Sequence, residues 1–338
     1  MLTIDGRAGG GQLVRSAVSL AAISGTAFTI EDVRGTRPNP GLRPQHLAVL
    51  DLMADWCDAE VDGASLGATE LSFRPSALRP RSRRVELSTA GSVALVCDVA
   101  IPLVPYLTEE VTLEVTGGTD VKWAPTVGYL RRVKLPLLDR FGYGGTLAVE
   151  RTGFYPAGDG QVSLSLGPAS PDPIVVTDRG DLERIEVVSV ASSDLADADV
   201  AARQADRAAE LLADHDPVRR CRVVETTSTG SSLLVVARFD ATRVGFDELG
   251  ERGKPAEVVA EDCVRAFRDW RAGPGAVDPY MADQLLVPLA ILGGELHIPH
   301  VTDHVASNAE LIRSFGYEIT VDERADDDAV VRAPGIRS

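Results

Sequence analysis

The chain has 338 residues, 44% hydrophobic and 5% aromatic, which is enough for a large aliphatic core and for two domains. Its formal net charge of −16 argues against a general nucleic-acid binder, because phosphate contacts need local positive charge. No apolar run is long enough to span a membrane, so no membrane partner is expected.

The first residues, MLTIDGRAGGG, lack the basic and apolar regions of a signal peptide. Cys57, Cys97, Cys221 and Cys263 lie scattered in aliphatic contexts and read as buried thiols in a reducing compartment, so a cytoplasmic protein is expected. Lysine occurs only at Lys122, Lys134 and Lys254. An acidic, lysine-poor surface suits a protein kept soluble at high salt.

Residues 2–5 (LTID) predict a short strand. Gly9-Gly10-Gly11 then leads into an amphipathic helix, GQLVRSAVSLAAIS. Such a turn can offer backbone N–H groups to an anion, or serve only for tight packing. No Lys-Ser/Thr follows it, so it is not a P-loop. A strand over 27–33 precedes VRGTRPNPGLRPQHL, the most basic stretch of the first third. Arg34, Arg37 and Arg43, with Gln45 and His46, cluster there around prolines that stiffen the loop and hold guanidinium groups ready for phosphate oxygens. A solvated loop is the plain alternative. A helix over 45–56 and strands over 57–62 and 70–75 follow.

The same order then recurs. RRVEL (83–87) predicts a strand, TAGSVALVCDVAIPLVPYL a helix, and VTLEVTGGT a strand. VGYLRRVKLPLLDRFG predicts a helix, and GTLAVERTG and GQVSLSLGP predict strands. From Asp278 the pattern appears a third time: helix, strand, helix, strand, strand. Repeated strand-helix-strand-helix-strand-strand units predict sheets that each carry two helices on one face and bury them against one another. Residues 181–275 break the rhythm with a strand, an acidic Ala-rich helix, two strands (CRVVETTS and SSLLVVARFD) and a helix. They read as a small α/β domain inserted between the second and third repeats.

The stretch 280–315 carries the chemistry. Asp278-Pro279 is a helix start. Tyr280, Asp283 and Gln284 then fall at i, i+3 and i+4 on one face, suited to a flat hydrogen-bonding ligand such as adenine, or forming an ordinary polar patch. Thr302-Asp303 starts a second helix that Gly316 can end, with His304 in its first turn. There the helix dipole favours neutral imidazole, the nucleophilic form; a surface or capping histidine is the alternative. HIPHVTDH also invites a metal reading, but His297 and His300 point to opposite strand faces and no acid or cysteine completes a ligand set.

These motifs together resemble the RNA 3′-terminal phosphate cyclase family over nearly the whole chain. The resemblance rests on IDG…GGGQLVRSA, RPNPGLRPQHL, TAGS, GGTD (117–120), GFYPAGDG (153–160), YMADQLLVPLA and His304/Asn308, in the right order. It implies an α/β (α+β) fold with three βαβαββ repeats in 1–180 and 276–338. The inserted domain, 181–275, would hold a four-stranded sheet and two helices. It implies an ATP-dependent enzyme in which His304 becomes a covalent histidine-AMP. The AMP passes to an RNA 3′-phosphate, and the neighbouring 2′-hydroxyl closes a 2′,3′-cyclic phosphate.

By position, the resemblance has Tyr280 and Pro125 sandwich the adenine and Asp283 and Gln284 hydrogen-bond to the nucleotide. Met281, Ala282 and Asp98 belong to the same nucleotide site. Arg15, Arg34, Arg37, Arg43, Gln45 and His46 would hold phosphates of ATP or of the RNA 3′-phosphate end. A divalent metal, Mg or Mn, would neutralise the leaving pyrophosphate, with ligands unknown. The sequence departs from the family pattern in three places. Arg7-Ala8 stands where a metal-serving Glu is common before the glycine run. The glycine triplet reads Gly158-Asp159-Gly160, with Thr152 where a basic residue is usual. Asp98 replaces a nucleotide-contacting Gln and could be a metal ligand or a weaker contact. The alternative is a non-catalytic, cyclase-like RNA-binding or ribosome-assembly protein, which would lack His304. A phosphometabolite transferase on a related repeat is disfavoured by RPNPGLRPQHL and His304.

Overall fold

The computed structural model describes residues 1–7, 9–324 and 327–336. Three of its sheets share one strand order. Leu2–Asp5, Phe28–Glu31, Leu71–Arg74 and Glu60–Asp62 lie side by side, the first pair parallel and the rest antiparallel. Arg83–Glu86, Val111–Gly117, Gly160–Leu166 and Thr146–Arg151 repeat the arrangement. So do Ile174–Val176, Gly294–Ile298, Ala329–Ala333 and Thr320–Glu323. The expected βαβαββ repeat is therefore present three times. The helices are buried between the sheets in one continuous aliphatic core. Helix Gly10–Ser24, which follows the glycine run, packs against Pro44–Cys57 and against Asp303–Ser314, the helix of His304.

Two expectations about boundaries change. The first strand of the third sheet is Ile174–Val176, which precedes the insertion and pairs with Gly294–Ile298. The inserted segment thus interrupts the third repeat instead of separating it from the second. Three residues are too few to show a period, so that strand was hidden. The expected long helices are also broken at prolines. The turn Ile101–Tyr106 is tight and contains Pro102 and Pro105. Leu130–Lys134 widens into a π turn before Pro136, which has no N–H to give the Arg132 carbonyl. Arg243 Nη1 donates to that freed carbonyl instead, at 3.1 Å.

The inserted segment forms its own sheet, in the order Val218–Val224, Leu182–Ser192, Ser231–Phe239, Arg243–Leu249. Arg243–Leu249, RVGFDEL, was not read as a strand from its residues, because an interior glycine and two acids dilute its alternation. The strand expected at 221–228 begins and ends earlier, at Val218–Val224. Helices Val200–Leu211 and Ala256–Ala272 cover one face and enclose a second core with Ile185, Val187 and Phe267. Val188, Leu234 and Val236 on the opposite face join the main core. Period-two alternation therefore serves two cores at once. Cys57, Cys97 and Cys263 are buried as expected, but Cys221 is exposed on the edge strand.

One buried carboxylate ties these parts together. Asp278 caps helix Pro279–Gln284 by accepting from Met281 N–H at 2.9 Å. It also accepts from the Tyr129 hydroxyl of the second repeat at 2.7 Å and from Gly245 N–H of the inserted sheet at 3.0 Å. Gly245 permits the approach: a Cβ there would stand 2.5 Å from Val133 Cγ2. Asp278→Ala removes the cap and strands two buried donors, so it should cost about 3–5 kcal/mol in chemical denaturation. A loss below about 1 kcal/mol would show that the junction holds without it.

Candidate active site

The three repeats meet around a cleft of about 1360 Å³. The first repeat supplies Arg15, Arg34, Arg37, Arg43, Gln45 and His46 to its walls. The second supplies Asp98 and Pro125, and the third Tyr280, Asp283, Gln284 and His304. Met281 and Ala282, expected at the nucleotide site, do not line it. Both are fully buried in the core on the opposite side of their helix.

Thr302 caps the helix of His304 by accepting from Val305 N–H at 3.1 Å, which puts His304 in the first turn as expected. Burial lowers its pKa first, and the charges of Arg15 and Arg37 lower it further, with Asp303 opposing. The imidazole is therefore biased to its neutral form. The glycine run lies against it: a side chain at Gly10, where φ is +59°, would come 3.4 Å from Arg37 Nη2 and 3.8 Å from His304 Cε1. Gly11 makes way for His46, since a Cβ there would be 2.4 Å from Nε2 of that ring.

The arginines divide by task. Arg34 Nη1 donates to the carbonyls of Asn39 and Gly41 at 2.9 and 3.0 Å, and Arg43 Nη2 donates to Asn39 O at 2.8 Å. These two brace the proline loop while facing the cleft. Arg15, Arg34, Arg37 and Arg43 form no ion pair among the described residues. Burial lowers Arg34, and then Arg43 and Arg37 lower it further, as expected of cations gathered without an anion. His46 is pushed down to about 3 by burial and then by Arg15, Arg34 and Arg43. Its Nδ1 accepts from Arg43 N–H at 3.0 Å, so the proton sits on Nε2, which is buried without a partner. It is thus a neutral spacer rather than a phosphate-binding cation. Gln45 Oε1 is 3.4 Å from Ser92 N–H and links this loop to TAGS.

Opposite, Asp98 is ion-paired to the buried Lys134. Burial and then Asp98 raise the Asp283 carboxyl to about 7, against Lys134, Arg15 and Gln12. Asn308 Nδ2 donates to Asp283 O at 3.3 Å, while Asn308 Oδ1 and Gln12 Oε1 are buried without partners at the cleft wall. Tyr280 packs edge-on against Tyr129 with ring centroids 5.4 Å apart. Orphaned acceptors, unpaired arginines and an aromatic wall fit a nucleoside triphosphate. They fit a protein-held divalent ion poorly, because Asp98 is engaged by Lys134 and burial pushes Asp283 toward its neutral form. No group of three or more His, Cys, Asp or Glu is gathered for a metal among the described residues. His297 instead pairs with Asp328.

The departures from the family pattern have local causes. Arg7 pairs with Asp5 at 2.6 Å away from the cleft, and Ala8 lies outside the described residues. Asp159 takes a left-handed φ of +58° where glycine is usual, held by Arg151 Nη2 at 2.6 Å and the Thr227 hydroxyl at 2.8 Å. Its neighbour Gly158 lies close under Ala90 and Gly117, so the TAGS, GGTD and GDG motifs stack backbone on backbone. The sequence reading missed Trp123, which is 95% exposed at the cleft with φ of +64°, and Tyr155, which is 70% exposed and also lines the cleft. Their signal was an aromatic followed by a small residue or proline in each of two glycine-flanked loops, Trp123-Ala124-Pro125 and Tyr155-Pro156.

The RNA 3′-terminal phosphate cyclase family model matches residues 7–321. The chain is 42% identical to the RNA 3′-terminal phosphate cyclase of Halobacterium salinarum over 342 residues, covering 98% of this chain and 99% of the relative. It is 37% identical to that of Pyrococcus abyssi, covering 93% of both chains. It is 35% identical to that of Methanococcoides burtonii, covering 93% of this chain and 94% of the relative.

A raised carboxyl pKa gives a signed test. The folded state holds the Asp283 proton more tightly than the unfolded chain, so its contribution to stability is full below 3.8 and is lost as pH rises through about 7. Asp283→Asn does not titrate, so its stability relative to the parent should climb across that window. An offset that stays constant with pH in paired denaturation curves would refute the raised value.

Proposed function

The chain belongs to the RNA 3′-terminal phosphate cyclase family, and on that premise we propose that it converts an RNA 3′-phosphate into a 2′,3′-cyclic phosphate at the expense of ATP. The observation that carries this reading is the meeting of a neutral-biased His304 with the glycine run and unpaired arginines in one cleft. In the proposed first step a neutral ring nitrogen of His304 attacks the α-phosphorus of ATP. An N–P bond forms, the α–β bridging P–O bond breaks, and pyrophosphate leaves. A terminal RNA phosphate oxygen then displaces the histidine, which regains its lone pair and leaves an RNA-adenylate. The 2′-hydroxyl attacks the RNA phosphorus and loses its proton, and AMP departs as a good leaving group. Ring closure gains from the adjacency of that hydroxyl.

Arg15 and Arg37 support this by matching the charge of the phosphates, while Arg34 and Arg43 keep the proline loop in place. Tyr280 offers a flat face to the adenine, and Asp283 and Gln284 offer polar edges. Near neutrality Asp283 is balanced between donor and acceptor. Lone exposed aromatics at a cleft mouth are suited to stacking single-stranded bases, so we assign Trp123 and Tyr155 to the last nucleotides of the RNA.

ATP labelled at the α-phosphate should leave an acid-labile, base-stable adduct on the protein that is absent in His304→Ala. Label kept by the variant would move the nucleophile elsewhere, and label missing from both would favour a binding protein. Trp123→Ala should cost about 1–3 kcal/mol of RNA-end affinity without weakening ATP. Equal loss for both ligands would assign the indole to the nucleotide.

A further inference from the structure

The cleft does not account for a second concentration of positive charge, along the seam between the inserted sheet and the second repeat. The π turn Leu130–Lys134 carries Arg131 and Arg132. The edge strand Val218–Val224, exposed along most of its length, carries Arg220 and Arg222 on one face beside Arg184. Glu186 faces three of these guanidinium groups, at 3.5 Å from Arg132, 3.7 Å from Arg184 and 3.2 Å from Arg220. One carboxylate cannot neutralise three cations. Arg131 and Arg222 form no ion pair among the described residues. Burial lowers the pKa of Arg132, Glu186 opposes, and Arg131, Arg220 and Arg222 lower it further.

The line continues away from the cleft. Arg243 reaches the Arg132 carbonyl that Pro136 leaves free. Beyond it is a hollow of about 360 Å³ walled by Arg140, Arg238, Arg243 and Thr242 and also by the acids Glu183 and Asp240. Arg238 is paired to Glu183 at 2.5 Å, but Arg140 forms no ion pair among the described residues. Thr242 is fully buried and its Oγ1 has no hydrogen-bond partner.

The near end of the seam abuts the cleft. Strand Val218–Val224 runs parallel to Leu182–Ser192, toward Ser192. Ser192 N–H bonds to Gly230 O, and Gly230 lies against Phe154. The Ser228 hydroxyl accepts from Ala157 N–H at 2.9 Å, next to the cleft residues Tyr155 and Pro156. On a chain of net charge −16, a polyanion leaving the cleft needs a local cluster of arginines to follow.

We infer that this arginine seam binds the sugar-phosphate backbone of the RNA upstream of its 3′ end. The inference rests on RNA being the substrate of the cleft. It gives the inserted module a task, which is to add affinity for longer chains without touching the chemistry.

The test measures binding of 3′-phosphorylated RNA to the full chain without ATP, over a range of KCl. It compares a trinucleotide with an oligomer of roughly 20 nucleotides. The parent should bind the oligomer more tightly and with a steeper salt dependence. Arg131→Gln with Arg222→Gln should weaken the oligomer alone and flatten the slope of log affinity against log salt by about 1.4, two contacts at about 0.7 each. Arg131→Lys with Arg222→Lys, which keeps the charge, should restore the slope. Labelling of His304 by ATP should be unchanged in both double variants. No length effect in the parent, or a full length effect in the glutamine variant, overturns the inference. So does inorganic phosphate competing as well as the oligomer, which would make the seam a small-anion site. Loss of ATP labelling in the parent would count against the reading of the cleft and leave the binding result to stand by itself.

Discussion

The carboxylate of Asp278 is the constraint on which the arrangement depends. It is fully buried, and burial raises it to about 6 despite three donors aimed at it. A buried acid of this kind is costly unless every lone pair is used. Here the donors come from the third repeat's helix, the second repeat's Tyr129 and the inserted sheet's Gly245. The helix that presents Tyr280, Asp283 and Gln284 therefore cannot turn without disturbing the other two parts. The insertion is anchored to the same atoms that set the cleft wall, and Arg243, two residues before Gly245, starts from that anchor into the seam.

Electrostatics in the cleft follow from geometry more than from composition. The chain is strongly acidic, yet Arg34, Arg37 and Arg43 gather without an ion-pairing carboxylate among the described residues, while Arg15 lies nearer Asp98 and Asp283. Asp283, an acid of the cleft wall, is pushed toward its neutral form by burial and then by Asp98. His304 is kept neutral by burial and by Arg15 and Arg37. The expectation from the helix terminus alone had the right direction, but burial is the leading cause, followed by Arg15 and Arg37 from more than 250 positions away. Glycine matters here at two points: at Gly10 for a left-handed turn against the imidazole, and at Gly11 for room beside His46.

Proline placement shaped both charged surfaces. In RPNPGLRPQHL, a loop the prolines stiffen, Arg34 grips the Asn39 and Gly41 carbonyls and Arg43 shares that of Asn39. At Pro136 the missing N–H widens a helix turn and releases the Arg132 carbonyl for Arg243. In each case a backbone carbonyl is taken by a guanidinium, which then stands at a fixed place.

Local pattern was sufficient for the repeats, for the helix starts at Asp278 and Thr302, and for the shared face of Tyr280, Asp283 and Gln284, because capping and helical spacing act within a few residues. The family motifs also named most of the cleft, since the backbones of TAGS, GGTD and GDG must stack and tolerate little change. Sequence could not show that Ile174–Val176 completes the third sheet across the insertion, because its pairing partner is more than 100 residues away. Nor could it separate Met281 and Ala282 in the core from their cleft-facing neighbours, or show Arg34 and Arg43 as braces. Trp123 and the arginine seam were equally hidden. Those facts are set by which surfaces meet in three dimensions, and a chain read in one dimension holds no record of distance between residues far apart in order.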